Sequence, residues 1–532
     1  MCTEGYFGNL RLWSVKELVS KFPYVLSGRN LMYQEMDQNV ILLLPVLIPI
    51  AAGILLLTVK RLRSSRKAML CLAVAALTVG ALCAFAAVAS GGGLTLWKLT
   101  DTITIEFRVD GISRLFAVLT AVVWLLVGIY SITYMTHERD EHRFFGFYLI
   151  VLGVLIGLDF SANLVTMYVF YELMTLTSLP LVLHELTKDA VMAGLKYLFY
   201  SVAGAFLALF GILFLASFSG TLAFTPGGVL RGVSLAGKEG ILLAAVCCML
   251  LGFGTKAGMF PMHGWLPTAH PVAPAPASAV LSGLITKSGV LAVIRVVYYI
   301  VGPELLRGTW VQTMWILLSL LTVFMGSMLA YKEPVLKKRL AYSTVSQVSY
   351  ILFGLSLLEP TAFVGALSHV VFHSMIKNGL FLAAGAIIFK TGWTRVEEMR
   401  GLGRVMPVML GGYTVLSLAL IGIPPCSGFV SKWYLACGAL ASGTGVWTIA
   451  GPAVLLVSAL LTAGYLLPLT IHGFFPGEDF DESELKARGL IGREPSLCMM
   501  VPILIFTAGA LLFGCFPGRF LAMLESIAAA VL

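Results

Sequence analysis

The chain has 532 residues, 58% of them hydrophobic and only 12% charged, with a mean hydropathy of +0.92. About 20 apolar residues span a bilayer, so this composition excludes an ordinary soluble protein and leaves room for a dozen or more membrane helices. The net charge of +9 sits in short clusters between apolar runs, which argues against a nucleic-acid surface and for the Lys/Arg excess of cytoplasmic loops.

Residues 1–35 are mixed and polar, with Arg11, Lys16, Lys21 and Arg29, and form an N-terminal extension without an evident cleavable signal peptide. They read either as an amphipathic surface helix around Leu10–Leu18 or as sequence ahead of a start at Met32 or Met36. The remainder predicts an all-α membrane protein of about 14 spans. Three fall in 36–140, five in 141–301 and five in 302–474, and the last follows a cytoplasmic loop in 475–532. Loops after odd-numbered spans hold about 19 Lys and Arg and those after even-numbered spans about 6. The basic clusters at Lys60–Lys67, Lys332–Arg339 and Lys390–Arg404 dominate that excess and place the odd loops in the cytoplasm, with both termini outside.

Between spans two and three the chain alternates, from Thr102 to Val109, with a period of two, which predicts a strand or hairpin at the outer surface. Spans seven and twelve are interrupted. One holds Gly252, Gly254 and Gly258 followed by Pro261, Pro267, Pro271, Pro274 and Pro276; the other reads Ile421-Gly422-Ile423-Pro424-Pro425. Proline removes a backbone donor and glycine loosens the helix. Interrupted spans at matching places in two halves are the sign of an inverted repeat around a conduction path, so 141–301 and 302–474 are predicted as two inverted five-helix repeats.

Charged side chains then stand where a bilayer disfavours them. Glu172, Lys256, Lys287, Lys377 and Lys432 each lie in or against an apolar run, and a lone charge at that depth costs about 3 kcal/mol or more unless it meets a partner or a water-filled path. A buried lysine can lose its proton, since desolvation disfavours the charged form. Glu172 and Lys256 are read as a tunable ion pair, with Lys196 placed to modulate it. His369, His373 and Lys377 repeat at intervals of four and share one helical face. Two histidines so spaced can hold a metal, but no third ligand is evident, and a stripe of titratable groups reads better as a proton relay. Lys432 ends the row, or snorkels to the surface. Arg295, about two turns after Lys287, cannot usefully deprotonate and is read as a structural or electrostatic group. His263 and His270 flank the first break, with loop and relay roles both open. The nine cysteines form no CxxC pair, and no spacing suggests zinc, an iron–sulfur cluster or haem, so no cofactor is expected.

The runs YELMTLTSLPLV, TKAGMFPMHGWLPTAHPVAPAPASAVLSGLITKSGVLAVIR, LKKRLAYSTVSQ, HVVFHSMIKNGLFLAAG and GIPPCSGFVSK resemble the antiporter-like membrane subunits. That family holds the proton-pumping subunits of complex I, the D-type subunit of Mrp cation/proton antiporters and subunits of membrane-bound hydrogenases. The resemblance covers about 110–440 and is strongest at WLPTAHPVAPAPASA. It implies 14 helices in two inverted bundles with broken helices seven and twelve, and a polar axis at the membrane midplane. It puts the family's span-five glutamate on Glu172, its lysines of spans seven, eight and eleven on Lys256, Lys287 and Lys377, and its terminal charge on Lys432. Lysine at that end leans toward the Mrp D or hydrogenase branch, and the short tail after span fourteen implies no long lateral helix. The implied function is a non-catalytic, ion-translocating subunit, for H+ or Na+/H+ exchange, in a hetero-oligomeric complex of the cell membrane. A stand-alone transporter of a small solute is the alternative, and it would need a roomy central pocket.

Overall fold

Within lipid, a backbone segment must close all its own hydrogen bonds, which a helix does. The computed structural model describes residues 40–98, 100, 103–230, 237–487 and 489–532 and is accordingly almost entirely helical. In chain order the principal helices are α1 (Leu44–Thr58), α2 (Arg66–Ser90), α3 (Gly111–Tyr134), α4 (Glu141–Asp159), α5 (Leu164–Val182) and α6 (Lys188–Phe218). They continue as α7 (Glu239–Ala257), α8 (Leu266–Val272), α9 (Ala275–Val301), α10 (Trp310–Lys332), α11 (Leu336–Ser356) and α12 (Pro360–Thr391). The last five are α13 (Pro407–Ile421), α14 (Ser427–Ala441), α15 (Trp447–Phe474), α16 (Leu497–Cys515) and α17 (Gly518–Val531). The expected surface helix around Leu10–Leu18 lies outside the described residues.

Eleven helices among the described residues are long and apolar enough to cross a membrane, fewer than the fourteen expected. The other three expected spans coincide with helices that miss for definite reasons. The first, α1, is short at 15 residues. The tenth, α11, starts with Lys337, Lys338 and Arg339 and continues with buried serines. The twelfth is split into the 15-residue α13 and α14.

Side-chain caps fix several helix starts. Asp110 accepts from the Ser113 amide at 2.8 Å to open α3, and Asn163 accepts from Thr166 at 2.8 Å to open α5. Glu359 accepts from Ala362 at 2.7 Å with Pro360 as the first residue of α12. The alternating segment forms the hairpin expected of it, β1 (Gly93–Lys98) antiparallel to β2 (Thr104–Arg108), with Phe107 turned into the core.

The most hydropathic stretch of α9 is wholly buried and that of α12 is 94% buried, whereas those of α2, α6 and α15 are 39%, 39% and 33% buried. The central stretches of α9 and α12 are therefore held away from both lipid and water, and with them Lys287, His369, His373 and Lys377, each no more than 1% exposed. Close packing at Gly289 brings α9 onto α7, since a Cβ there would stand 2.6 Å from the Phe253 carbonyl oxygen. Both predicted interruptions are present. Gly258, at φ +80°, ends α7 before the short α8, and Gly422, at φ +94°, ends α13 before α14. Two features were not expected. Leu281–Ile285 and Arg295–Val301 in α9 wind as π-helix, and α17 packs on the bundle through Leu521, Leu524, Ile527 and Val531.

Arg295 takes the structural role. Its guanidinium pairs with Asp110 at 2.5 and 2.9 Å and donates to Ser113 Oγ at 2.9 Å, tying the end of α9 to the start of α3. The side chain is 2% exposed, so losing one partner strands a buried charge at about 3–5 kcal/mol. Asp110→Asn should lower the thermal unfolding temperature in detergent sharply, and adding Arg295→Met should restore most of it. Unfolding of Asp110→Asn at the parent temperature would show that this pair does not hold the helices together.

Candidate functional site

The row begins in the first half. Lys256, 0% exposed in the last turn of α7, donates to the Tyr197 hydroxyl and to Ser201 Oγ, both on α6 and both at 2.9 Å. Its Nζ stands 4.4 Å from the centre of the Tyr197 ring, and Tyr197 in turn meets Ser178 Oγ at 2.7 Å. The Trp265 indole donates to the Thr255 carbonyl at 2.8 Å, an oxygen that also accepts from the Gly258 amide at 3.1 Å. Glu172 is half-buried on α5, and its Oε1 is buried without a partner. It lies within electrostatic reach of Lys256 but no ion pair within 4 Å joins them. The expected pair is open, with Lys256 held by hydroxyls instead.

In the middle, Lys287 on α9 sits just after the π-helical turn. Its Nζ meets the Ser282 carbonyl at 2.7 Å and His373 Nδ1 on α12 at 2.7 Å. The His373 ring lies 5.8 Å from the His369 ring, and His369 Nδ1 meets Ser431 Oγ on α14 at 2.9 Å. Each histidine thus faces its own partner, and a lysine nitrogen against His373 is a poor neighbour for a metal.

The row forks at His373. Toward one end, Lys432 on α14 donates to the Leu420 and Ile421 carbonyls at 2.7 and 2.9 Å, at the C-terminus of α13, where the helix dipole favours a cation. It stands 5.0 Å over the Tyr350 ring. That arrangement turns the amine of Lys432, a half-buried residue, toward the end of α13. Toward the other end, Lys377, 0% exposed, donates to the Leu340 carbonyl at 3.0 Å. Thr344 also donates to that carbonyl, at 2.9 Å, and meets Ser282 Oγ at 2.7 Å, so hydroxyls bridge the anchor points of Lys377 and Lys287.

Residues 161–462, over half of the chain, match the family described as "NADH:quinone oxidoreductase/Mrp antiporter, TM". Residues 98–145 match "NADH-Ubiquinone oxidoreductase (complex I), chain 5 N-terminus". The chain belongs to the NADH:quinone oxidoreductase/Mrp antiporter family. Among its relatives, the N-type subunit of the NADH-quinone oxidoreductase of Desulforudis audaxviator is 32% identical over 77% of this chain and 82% of its own length. The D-type subunit of the Na(+)/H(+) antiporter of Bacillus subtilis is 30% identical over 90% and 94%. A chain of the Mrp complex from Dietzia sp. shares the fold, with a TM-score of 0.80 at 24% identity over 92% of this chain and 97% of that one.

On this family scaffold one expected residue stands apart. Lys196 is exposed in an open groove of about 690 Å³, beside Asp189, Phe199, Pro267 and Lys338. It acts on His263, and no contact joins it to Glu172 or Lys256. His270, by contrast, is 0% exposed, with both ring nitrogens unpartnered, and stacks on Phe381 at 4.8 Å. It lies within electrostatic reach of Lys337, Lys377 and Lys287. Lys337, missed in the sequence, donates to the Pro271 and Ala273 carbonyls at 3.0 and 2.5 Å, at the end of α8. Its place at the start of α11 made it look like one more loop charge. Tyr197 and Ser201 were missed because a hydroxyl in an apolar run is ordinary packing until its partner is known.

The open geometry at Glu172 makes a stability prediction. Breaking a closed, buried ion pair costs about 3–5 kcal/mol. Glu172→Gln should instead stay within about 1 kcal/mol of the parent, as for removal of a group with no partner. Denaturant titration of the purified protein checks this, and a loss of the larger size would mean that the pair is closed in solution.

Proposed function

We propose that this chain carries protons along the buried row Lys256–Lys287–His373, with arms to Lys377 and to His369–Lys432, as one subunit of a larger complex in the cell membrane. The observation that carries the reading is the 2.7 Å contact between Lys287 Nζ and His373 Nδ1, in residues 1% and 0% exposed. Two nitrogens at that distance share one hydrogen, so they cannot both carry a proton toward each other, and a proton taken up by one can be passed across to the other. Among the described residues, no carboxylate lies within 4 Å of Lys256, Lys287, Lys377 or Lys432 to fix their charge.

The row is built from amines, imidazoles and hydroxyls. Hard cations are bound by oxygen ligands, carboxylates foremost, and Glu172 is the only carboxylate among the site residues. The row itself therefore suits protons, and any Na+ exchanged against them would bind elsewhere. Cavities of about 500 and 690 Å³ open at the rim, and neither is lined by Lys256, Lys287, His373 or Lys377, which disfavours a solute transporter.

Support for membership in a complex comes from the relatives, which are named as subunits. We read 141–301 and 302–474 as the two inverted repeats because each holds one broken span, α7/α8 and α13/α14. On that reading α1, α11 and the α13/α14 pair complete fourteen spans.

A proton carrier must be able to give up its proton, as a desolvated lysine can and an arginine cannot. Lys377→Arg keeps charge and approximate length. In vesicles holding the assembled complex and a pH-sensitive dye, it should slow proton flux by about tenfold or more. Parent flux in that variant would make Lys377 an electrostatic fixture and put the relay elsewhere.

A further inference from the structure

A second line of buried polar groups runs through α10, α11 and α15, and the row makes no use of it. It starts at the face carrying the basic loops. There a cavity of about 500 Å³ is lined by Tyr331, Lys332, Arg339, Glu397, Arg400 and His472. At its floor Arg339 donates to the carbonyls of Glu333 and Tyr465 at 2.7 and 2.9 Å.

One turn deeper, Ser343 Oγ meets the Tyr465 hydroxyl at 2.7 Å, and that hydroxyl meets Thr462 Oγ1 at 3.2 Å. A turn further in, each of the three helices supplies a serine. Ser327 Oγ lies 2.6 Å from Ser458 Oγ and 2.8 Å from Ser346 Oγ, and Ser346 lies 3.3 Å from Ser458. The Tyr350 hydroxyl comes next, close to the Ser458 hydroxyl, and donates to the Leu455 carbonyl at 2.8 Å. The ring of Tyr350 carries the line to the row, with Lys432 Nζ 5.0 Å above it and the His369 ring stacked 5.6 Å away.

Small polar residues between membrane helices usually serve as glue. Two observations go beyond that here. The hydroxyls form a file from an open cavity to a titratable group, and all seven of their side chains are no more than 1% exposed. The Gln347 side chain is also 0% exposed, with both amide atoms unpartnered. Burying an amide without a partner is costly, and a packing contact has no need of one, whereas a water-bearing path would satisfy it.

We propose that this file is a separate proton access, joining the basic-loop face to the Lys432 and His369 end of the row. The proposal rests on the proton-moving reading above. Each hydroxyl oxygen accepts one proton and passes its own to the next, so none keeps a charge, and the last proton bonds to the lone pair of a neutral Lys432 amine. The reverse sequence empties the site. Three steps lack a direct hydrogen bond between side chains: Thr462 to the serine triad, Ser458 to Tyr350, whose hydroxyl donates to the Leu455 carbonyl, and Tyr350 to Lys432. Thr462 donates to the Ser458 carbonyl at 2.8 Å, so each of these steps needs a bridging water or a rotation.

The test is proton flux in vesicles with the assembled complex, normalised to its amount, for Ser346→Ala/Ser458→Ala, Ser458→Thr, Gln347→Leu and Lys377→Arg. The double alanine variant should lose about tenfold or more, and Ser458→Thr, which keeps a hydroxyl, should retain most of the flux. Should the double alanine variant fail to assemble, Gln347→Leu decides, with a comparable loss expected. Parent flux in the alanine variant or in Gln347→Leu, while Lys377→Arg is blocked, overturns the access path and leaves the proposed function standing. Equal losses in Ser458→Thr and the alanine variant also overturn it, since packing alone would then be at fault. Parent flux in every variant, Lys377→Arg included, sinks both.

Discussion

One hydrogen between two nitrogens is the constraint around which the bundle is arranged. Lys287 and His373 come from different halves of the chain and meet 2.7 Å apart, where both cannot be fully protonated toward each other. Holding them there takes α9 and α12, whose most hydropathic stretches are 100% and 94% buried. It also takes a π-helical turn just before Lys287, whose Ser282 carbonyl accepts both from Lys287 and, at 2.7 Å, from Thr286. π-turns of this kind recur at functional sites because they re-aim side chains and redirect carbonyls.

The rest of the row follows from how a bilayer protein can keep amines at depth without counter-ions. Three solutions coexist. Lys256 is solvated by hydroxyls and a tyrosine face, Lys432 and Lys337 by carbonyls at helix C-termini, and Lys377 by a single mid-helix carbonyl that Thr344 shares. None of these partners carries a full charge, so each lysine is stabilised without being locked as an ammonium. The two broken spans contribute differently. At the first, the lysine precedes the break and a tryptophan adds a bond to a carbonyl of the last turn; at the second, the lysine follows the break and reaches back to the last carbonyls of α13 itself.

Much of this was legible in the sequence wherever a residue breaks a rule of the bilayer. Glu172, Lys256, Lys287 and Lys377 stood out by charge, the two interruptions by Gly and Pro, and the hairpin by its alternation. What stayed hidden depends on helix rotation and long-range contact. The spacing of His369, His373 and Lys377 gives a face, but not that Lys287, 86 residues earlier, meets the middle of it and forks the row. Lys196 shared the signature of the others and turned outward. His270 and Lys337 were disguised as loop-edge groups, and the serines of α11 and α15 as packing. The helix α17 could have been found from the spacing of Leu521, Leu524, Ile527 and Val531.

The most direct measurement is proton flux through the assembled complex with His373→Gln. The glutamine oxygen can still accept from Lys287, so the contact and the packing survive, but an amide cannot take up a proton and release it. The account predicts flux reduced by about tenfold or more, with the complex intact. Parent flux with glutamine at that position would contradict it, because the 2.7 Å contact would then be a structural bond and not a point of proton transfer.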